Sequence, residues 1–242
     1  MFKNVLNILI LMVNTAVAPA LLAADDAYVP GGGRGGDMLT PDQVSKVGIS
    51  SKPTNDSGVF VGFGGSIGQG RTTEASTPGV AFLAHVEPGY QVSTGSWSRL
   101  ELSLDLFSGV VNYRLPDSHA IGGKVSYPGL FGAIAKAGYG YSLGDNMFGV
   151  LKFGVGPVFA GVSIDTPAAG TAKADGLTGI AWELAWDAVA PINHTLDFIF
   201  GISWQQLQFD VGKLKNQGVS YNFNRTMIVN IPSVDLGLRL RL

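Results

Sequence analysis

The 242-residue chain contains no cysteine, few charged residues (14%) and three histidines. Without cysteine there is no disulfide framework and no thiolate metal site, and no paired-histidine spacing replaces it, so no metal or other cofactor is expected. Low charge combined with 46% hydrophobic residues excludes a disordered chain. Lysine and arginine number 16 against 18 acids and form no basic run, so no nucleic-acid partner is expected. Beyond the N-terminus, no stretch of about 20 apolar residues lacks glycine or charge, which excludes a bundle of membrane helices. The 34 glycines recur at strand spacing and not in a strand-to-helix turn that could cradle phosphate.

The N-terminus reads as a secretory signal over residues 1–24. Lys3 precedes an apolar stretch from Val5 to Val17, and Ala18, Ala20, Ala23 and Ala24 supply small residues before Asp25. Residues 25–57 read as a flexible periplasmic extension, with the linker-like Pro30-Gly31-Gly32-Gly33-Arg34-Gly35-Gly36-Asp37 and one short helical turn capped by Thr40.

From Ser57 onward, apolar residues recur at every second position, which is the period of a strand. The row Leu100, Leu102, Leu104, Leu106 alternates with Arg99, Glu101, Ser103 and Asp105. Eight such segments place strands at 58–68, 80–91, 97–107, 130–143, 146–161, 178–190, 194–209 and 227–242. Pro88, Pro157 and Pro232 fall awkwardly within them, because proline removes a ladder donor. Links after the even-numbered strands are tight, whereas those after odd-numbered strands run to roughly 10–20 residues, the alternation of membrane barrels with short periplasmic turns and long outer loops.

Two barrels fit eight strands. A soluble one would turn its apolar rows inward. The opposite rows here combine small residues with charges, as in Gly132/Lys136/Gly138/Gly140 and Ala181/Glu183/Ala185/Asp187. They suit a narrow interior, so the apolar rows are assigned to lipid over residues 58–242.

The last residues, Asp235-Leu236-Gly237-Leu238-Arg239-Leu240-Arg241-Leu242, have the spacing of a C-terminal barrel-assembly signal carried by Asp235, Gly237, Leu240 and Leu242. With the eight-fold alternation, the segment resembles the small outer-membrane barrels of the OmpA transmembrane-domain and opacity-protein type. That resemblance implies an all-β, antiparallel up-and-down transmembrane barrel in the outer membrane, probed by the assembly machinery and surrounded by lipid and lipopolysaccharide. It also implies a monomer whose exposed loops carry structural or surface-recognition and adhesion roles towards a host or envelope protein. The alternatives are a narrow channel for ions or small hydrophobic ligands and a lipid-modifying enzyme.

Counting along each strand puts His85, Asp105, Lys136, Lys152 and Glu183 near mid-height, and Glu87, Glu101, Asp187, Asp197 and Arg239 lower. Buried charges must pair, so Asp105 is expected with Lys136 and Lys152 with Glu183, as a structural plug in preference to a gate. Nucleophilic catalysis would need a serine and an acid beside His85, His119 or His194, and no motif marks such a serine, so a non-enzymatic protein is expected. Tyr90, Trp97, Tyr139, Tyr141, Trp186 and Trp204 are read as interface anchors towards strand ends, and Trp182 as mid-strand bulk facing lipid.

Overall fold

The structure, a computed structural model, describes residues 57–72, 77–95, 97–115, 123–144, 147–166 and 170–242. The assigned signal, the extension up to residue 56, and His119 lie outside them. Eight strands follow one another: β1 (Gly58–Thr72), β2 (Thr77–Ser93), β3 (Ser98–Leu115), β4 (Gly123–Gly144), β5 (Met147–Thr166), β6 (Gly170–Pro191), β7 (Leu196–Asn216) and β8 (Val219–Arg241). Each pairs antiparallel with its sequence neighbours, and β8 pairs with β1, so the sheet closes into an up-and-down barrel. The three prolines stay within strands. They interrupt pairing to one neighbour, as where Val86↔Leu106 is followed by Gly89↔Ser103, without shifting register.

Every strand runs past the end that alternation predicts on the side of the expected long loops, and β2, β4 and β6 also gain one or two residues on the side of the tight turns. Those loops are corrected to short connections: Thr72 is followed by β2 at Thr77, and Asn216 by β8 at Val219. The second is a two-residue hairpin in which Gln217 and Gly218 both have positive φ (48° and 83°), the conformation a tight primed turn requires.

The reason for the extra length is an inversion of the side-chain pattern. Along β3 the outward positions stay even-numbered throughout. Leu100, Leu102, Leu104 and Leu106 are exposed, but above them the apolar residues move to odd positions: Phe107, Val111, Tyr113 and Leu115 are buried in the lumen. On β7, Phe198, Phe200, Ile202 and Trp204 face out, whereas higher up Leu207, Phe209 and Val211 face in and Gln206, Gln208 and Asp210 face out. The barrel therefore has two storeys. The lower has an apolar exterior and a charged lumen; the upper has an apolar lumen and a polar exterior. The inward-apolar arrangement set aside from sequence describes the upper storey.

The outward apolar belt spans Leu100 to Val110 on β3. At about 3.3 Å per residue and a strand tilt of about 40° this is about 25 Å tall, the thickness of an outer-membrane hydrocarbon core. Tyr90, Trp97, Tyr139 and Tyr141 ring its lower edge, and Trp186 Nε1 donates to Tyr141 Oη (3.0 Å). Trp204 is corrected: because β7 continues to Asn216, it lies at mid-strand like Trp182. In the upper lumen, Tyr127 stacks on Phe209 (ring centroids 5.3 Å) within a dry cluster that includes Val111, Val125, Ile164, Leu207, Val229 and Ile231. Most of the β-bulges lie at or above the boundary between storeys, as at Gly109/Val111 and Ala160/Val162.

Candidate functional site: the charged lumen

Inward positions of β1 to β4 and β6 meet at mid-height. Lys136 Nζ on β4 donates to Asp105 Oδ2 on β3 (2.9 Å) and to Glu183 Oε1 on β6. Asp105 also accepts from His85 Nδ1 on β2 (2.9 Å), and His85 Nε2 lies 2.8 Å from Ser66 Oγ on β1. In the neutral ring the carboxylate fixes the proton on Nδ1, so Nε2 accepts from Ser66.

Below this layer, Lys152 Nζ contacts Glu87 Oε1 (2.7 Å) and Asp187 Oδ2 (2.9 Å). The expected Lys152–Glu183 pair is thus corrected. Glu183 points from β6 towards β4, where Lys136 takes it, while Asp187, two inward positions lower on β6, meets Lys152 on β5. Lower still, Arg239 on β8 spans the lumen to Glu101 on β3 with two parallel hydrogen bonds (Nη1–Oε1 2.8 Å, Nη2–Oε2 3.0 Å). Its guanidinium lies over the Phe60 ring (4.1 Å), so a fully buried cation has its two terminal nitrogens and one face engaged. Arg99 joins Glu101 from the other side (2.9 Å) and covers the Phe148 ring (4.6 Å). Asp197 closes the bottom against Arg241 (3.0 Å).

All ten residues assigned to the lumen by strand counting are inward and belong to this ladder. Arg99 and Arg241 belong to it as well, although sequence reading left them out. They have the same parity as Glu101 and Arg239, and that was the available signal. Ser66 has inward parity on β1, but nothing in its own neighbours marks it; only the β1–β2 register, Gly64 opposite His85, brings it to the imidazole. His194 lies in the turn between β6 and β7.

Ser66, His85 and Asp105 thus form the hydrogen-bonded chain that a nucleophilic serine requires. The surroundings differ from those of a hydrolase. Asp105 is shared with Lys136, Ser66 lies in a strand paired on both sides, and the adjoining cavity is about 60 Å³, room for a few waters and not for an acyl substrate. Glu183 Oε2 and Asp235 Oδ1, on residues lining that cavity, are buried without a hydrogen-bond partner among the described residues.

Of the C-terminal residues, Asp235 is inward, Leu236, Leu238 and Leu240 are outward, and Gly237 sits where β8 crosses β1 so closely that a Cβ would meet Phe63 O at 2.7 Å. Leu242 N donates to Val59 O (2.9 Å), continuing the seam. Eight strands, closed by that seam and wrapped in an apolar belt around paired charges, decide the architecture. The fold is that of the small eight-stranded outer-membrane barrels.

No protein-family model and no curated protein sequence matches the barrel. Solved structures similar to it include Neisserial surface protein A (13% identity, 77% of this chain and 99% of that one, TM-score 0.45). The outer membrane protein OprG from Pseudomonas aeruginosa follows (13%, 77% and 97%, TM-score 0.40). A third is Ail, the attachment invasion locus protein of Yersinia pestis (10%, 77% and 99%, TM-score 0.37).

Proposed function

We propose that the protein is an integral outer-membrane barrel with a sealed lumen, acting as a monomeric, non-enzymatic scaffold that presents its upper storey at the cell surface for recognition or adhesion. The observation that carries this reading is the two-storey pattern. An apolar exterior about 25 Å tall suits lipid, and above it a polar exterior around a dry core suits water. The recognition surface is then the rigid wall of extended strands and the β7–β8 hairpin, in place of long loops. Lipid and lipopolysaccharide surround the belt, and the barrel-assembly machinery would receive the terminal strand; no nucleic acid is involved.

A sealed lumen is supported twice over, by the ion-pair ladder below and by the Tyr127–Phe209 cluster above. The test of scaffold against channel is planar-bilayer recording on the purified protein. No stable unitary conductance is expected. A well-defined open level, unchanged when Lys152→Met breaks the lower ladder, would overturn the sealed reading. Surface presentation is tested on intact cells by biotinylation of cysteines placed at Ser220 and at Ser142: labelling at Ser220 alone is expected, and labelling at Ser142 alone would invert the topology.

A further inference from the structure

The outer wall above the belt carries an ordered pattern of charge. Thr77, Arg114, Lys124, Asp165 and Thr171 are successive cross-strand partners from β2 to β6. The adjoining rung runs through Ser126, Ser163, Lys173, Lys215 and Ser220 from β4 to β8. The intervening Val125, Ile164, Ala174 and Leu214 are buried in the upper core, so both rungs face outward.

Two features set these rungs apart from an ordinary solvated surface. Lys173 stands directly opposite Lys215, although like charges at paired positions destabilise a sheet. Lys124, Lys173 and Lys215 form no ion pair among the described residues; of the acids on this face, Asp165 accepts a hydrogen bond from Thr171 Oγ1 (3.1 Å), and Asp175 follows Lys173 by two residues on β6. The second feature is height. Phe159 stacks on Phe131 (4.9 Å) at the top of the belt, and Ser163 is four residues farther along β5, roughly 10 Å higher at the same rise and tilt. That is the level at which lipid headgroups meet water, and lysine stems can reach down from it.

We propose that this face of β3 to β7 binds the phosphorylated saccharide headgroup of an acylated glycolipid of the outer leaflet, of the lipid A class. The opposed cations would chelate phosphate oxygens, which removes their mutual repulsion, and the interleaved Thr and Ser hydroxyls would bond sugar hydroxyls. The acyl chains would continue down over Phe131, Phe159 and Ile180, which are placed beneath the rungs on the same strands. The proposal rests on the membrane reading above.

The test uses the full chain folded in detergent micelles, with folding scored separately by heat-modifiable migration. Binding of bisphosphorylated lipid A, its dephosphorylated form, and heparin as a soluble polyanion is measured by native mass spectrometry. The barrel is expected to bind bisphosphorylated lipid A at least about tenfold more tightly than the other two, to lose that preference in a Lys124→Gln/Lys173→Gln/Lys215→Gln variant, and to keep it when the same positions become arginine. Equal binding of the dephosphorylated lipid, an unchanged preference in the glutamine variant, or tighter binding of heparin would each overturn the proposal. A chain that never becomes heat-modifiable in micelles would instead count against the membrane reading.

Discussion

Arg239 condenses the chemistry of the lower storey. It is fully buried, hydrogen-bonded to both oxygens of Glu101 and stacked on Phe60, while its Nε has no hydrogen-bond partner among the described residues. Removing the partner while leaving the cation should be costly: Glu101→Gln is expected to destabilise the barrel by about 3–5 kcal/mol in urea titrations in lipid vesicles. Unchanged stability would mean that water enters the bottom of the lumen. Ser66 makes the opposite case. With a cavity of about 60 Å³ beside it, the proposed scaffold role makes the hydroxyl a hydrogen-bond partner of His85 in place of a nucleophile. Fluorophosphonate probes should leave the folded protein unlabelled, and Ser66→Ala should cost about 1 kcal/mol. Covalent labelling at Ser66 that disappears in His85→Ala would reverse this and make the relay catalytic.

At the scale of the strand, the apolar face decides where a residue can carry charge. Leu104 is exposed on β3 in the middle of the belt, so Leu104→Arg should cost about 2–4 kcal/mol of folding stability in bilayers, whereas Asn112→Arg on the same face above the belt should cost about 0–1 kcal/mol. Equal costs at the two sites would erase the boundary between storeys. The terminal strand supports a second expectation. Leu240 pairs with both Val61 and Leu196, and Leu242 bonds Val59. Deleting Leu240 to Leu242 opens the lower end of the seam, and the chain is expected in the periplasm as a degraded, non-heat-modifiable species.

The same scale shows what the sequence made readable. The leucine row of β3 announces a strand because lipid demands an unbroken apolar face, and its partner row lists the lumen charges directly. The row stops being readable at Phe107, where inward positions turn apolar while the outward face stays apolar as far as Val110; above Val110 the large apolar residues of β3 lie on the inner face alone. Periodicity persists there but its phase no longer identifies the exterior, so from sequence the strand ends read as loops. Partners were legible only between neighbouring strands. Asp105 with Lys136 is one register step, whereas Lys152 with Glu87 and Arg239 with Glu101 cross the barrel, and nothing local in the sequence encodes a distance across a lumen.

For the molecule as a whole, the crossing pairs have a consequence for assembly. The ring order puts β5 three strands from β2, and β8 three strands from β3, yet Lys152 neutralises Glu87 and Arg239 neutralises Glu101. A hairpin entering the bilayer alone would therefore carry charges whose counter-charges are still on strands not yet inserted, and an unpaired charge in that setting costs several kcal/mol. Partial barrels are penalised, and the last seam between β1 and β8 must form together with the ladder it encloses. Insertion becomes a single cooperative event in which the polar interior acts as a latch, so that the same side chains that stop up the finished lumen also make a half-built one short-lived.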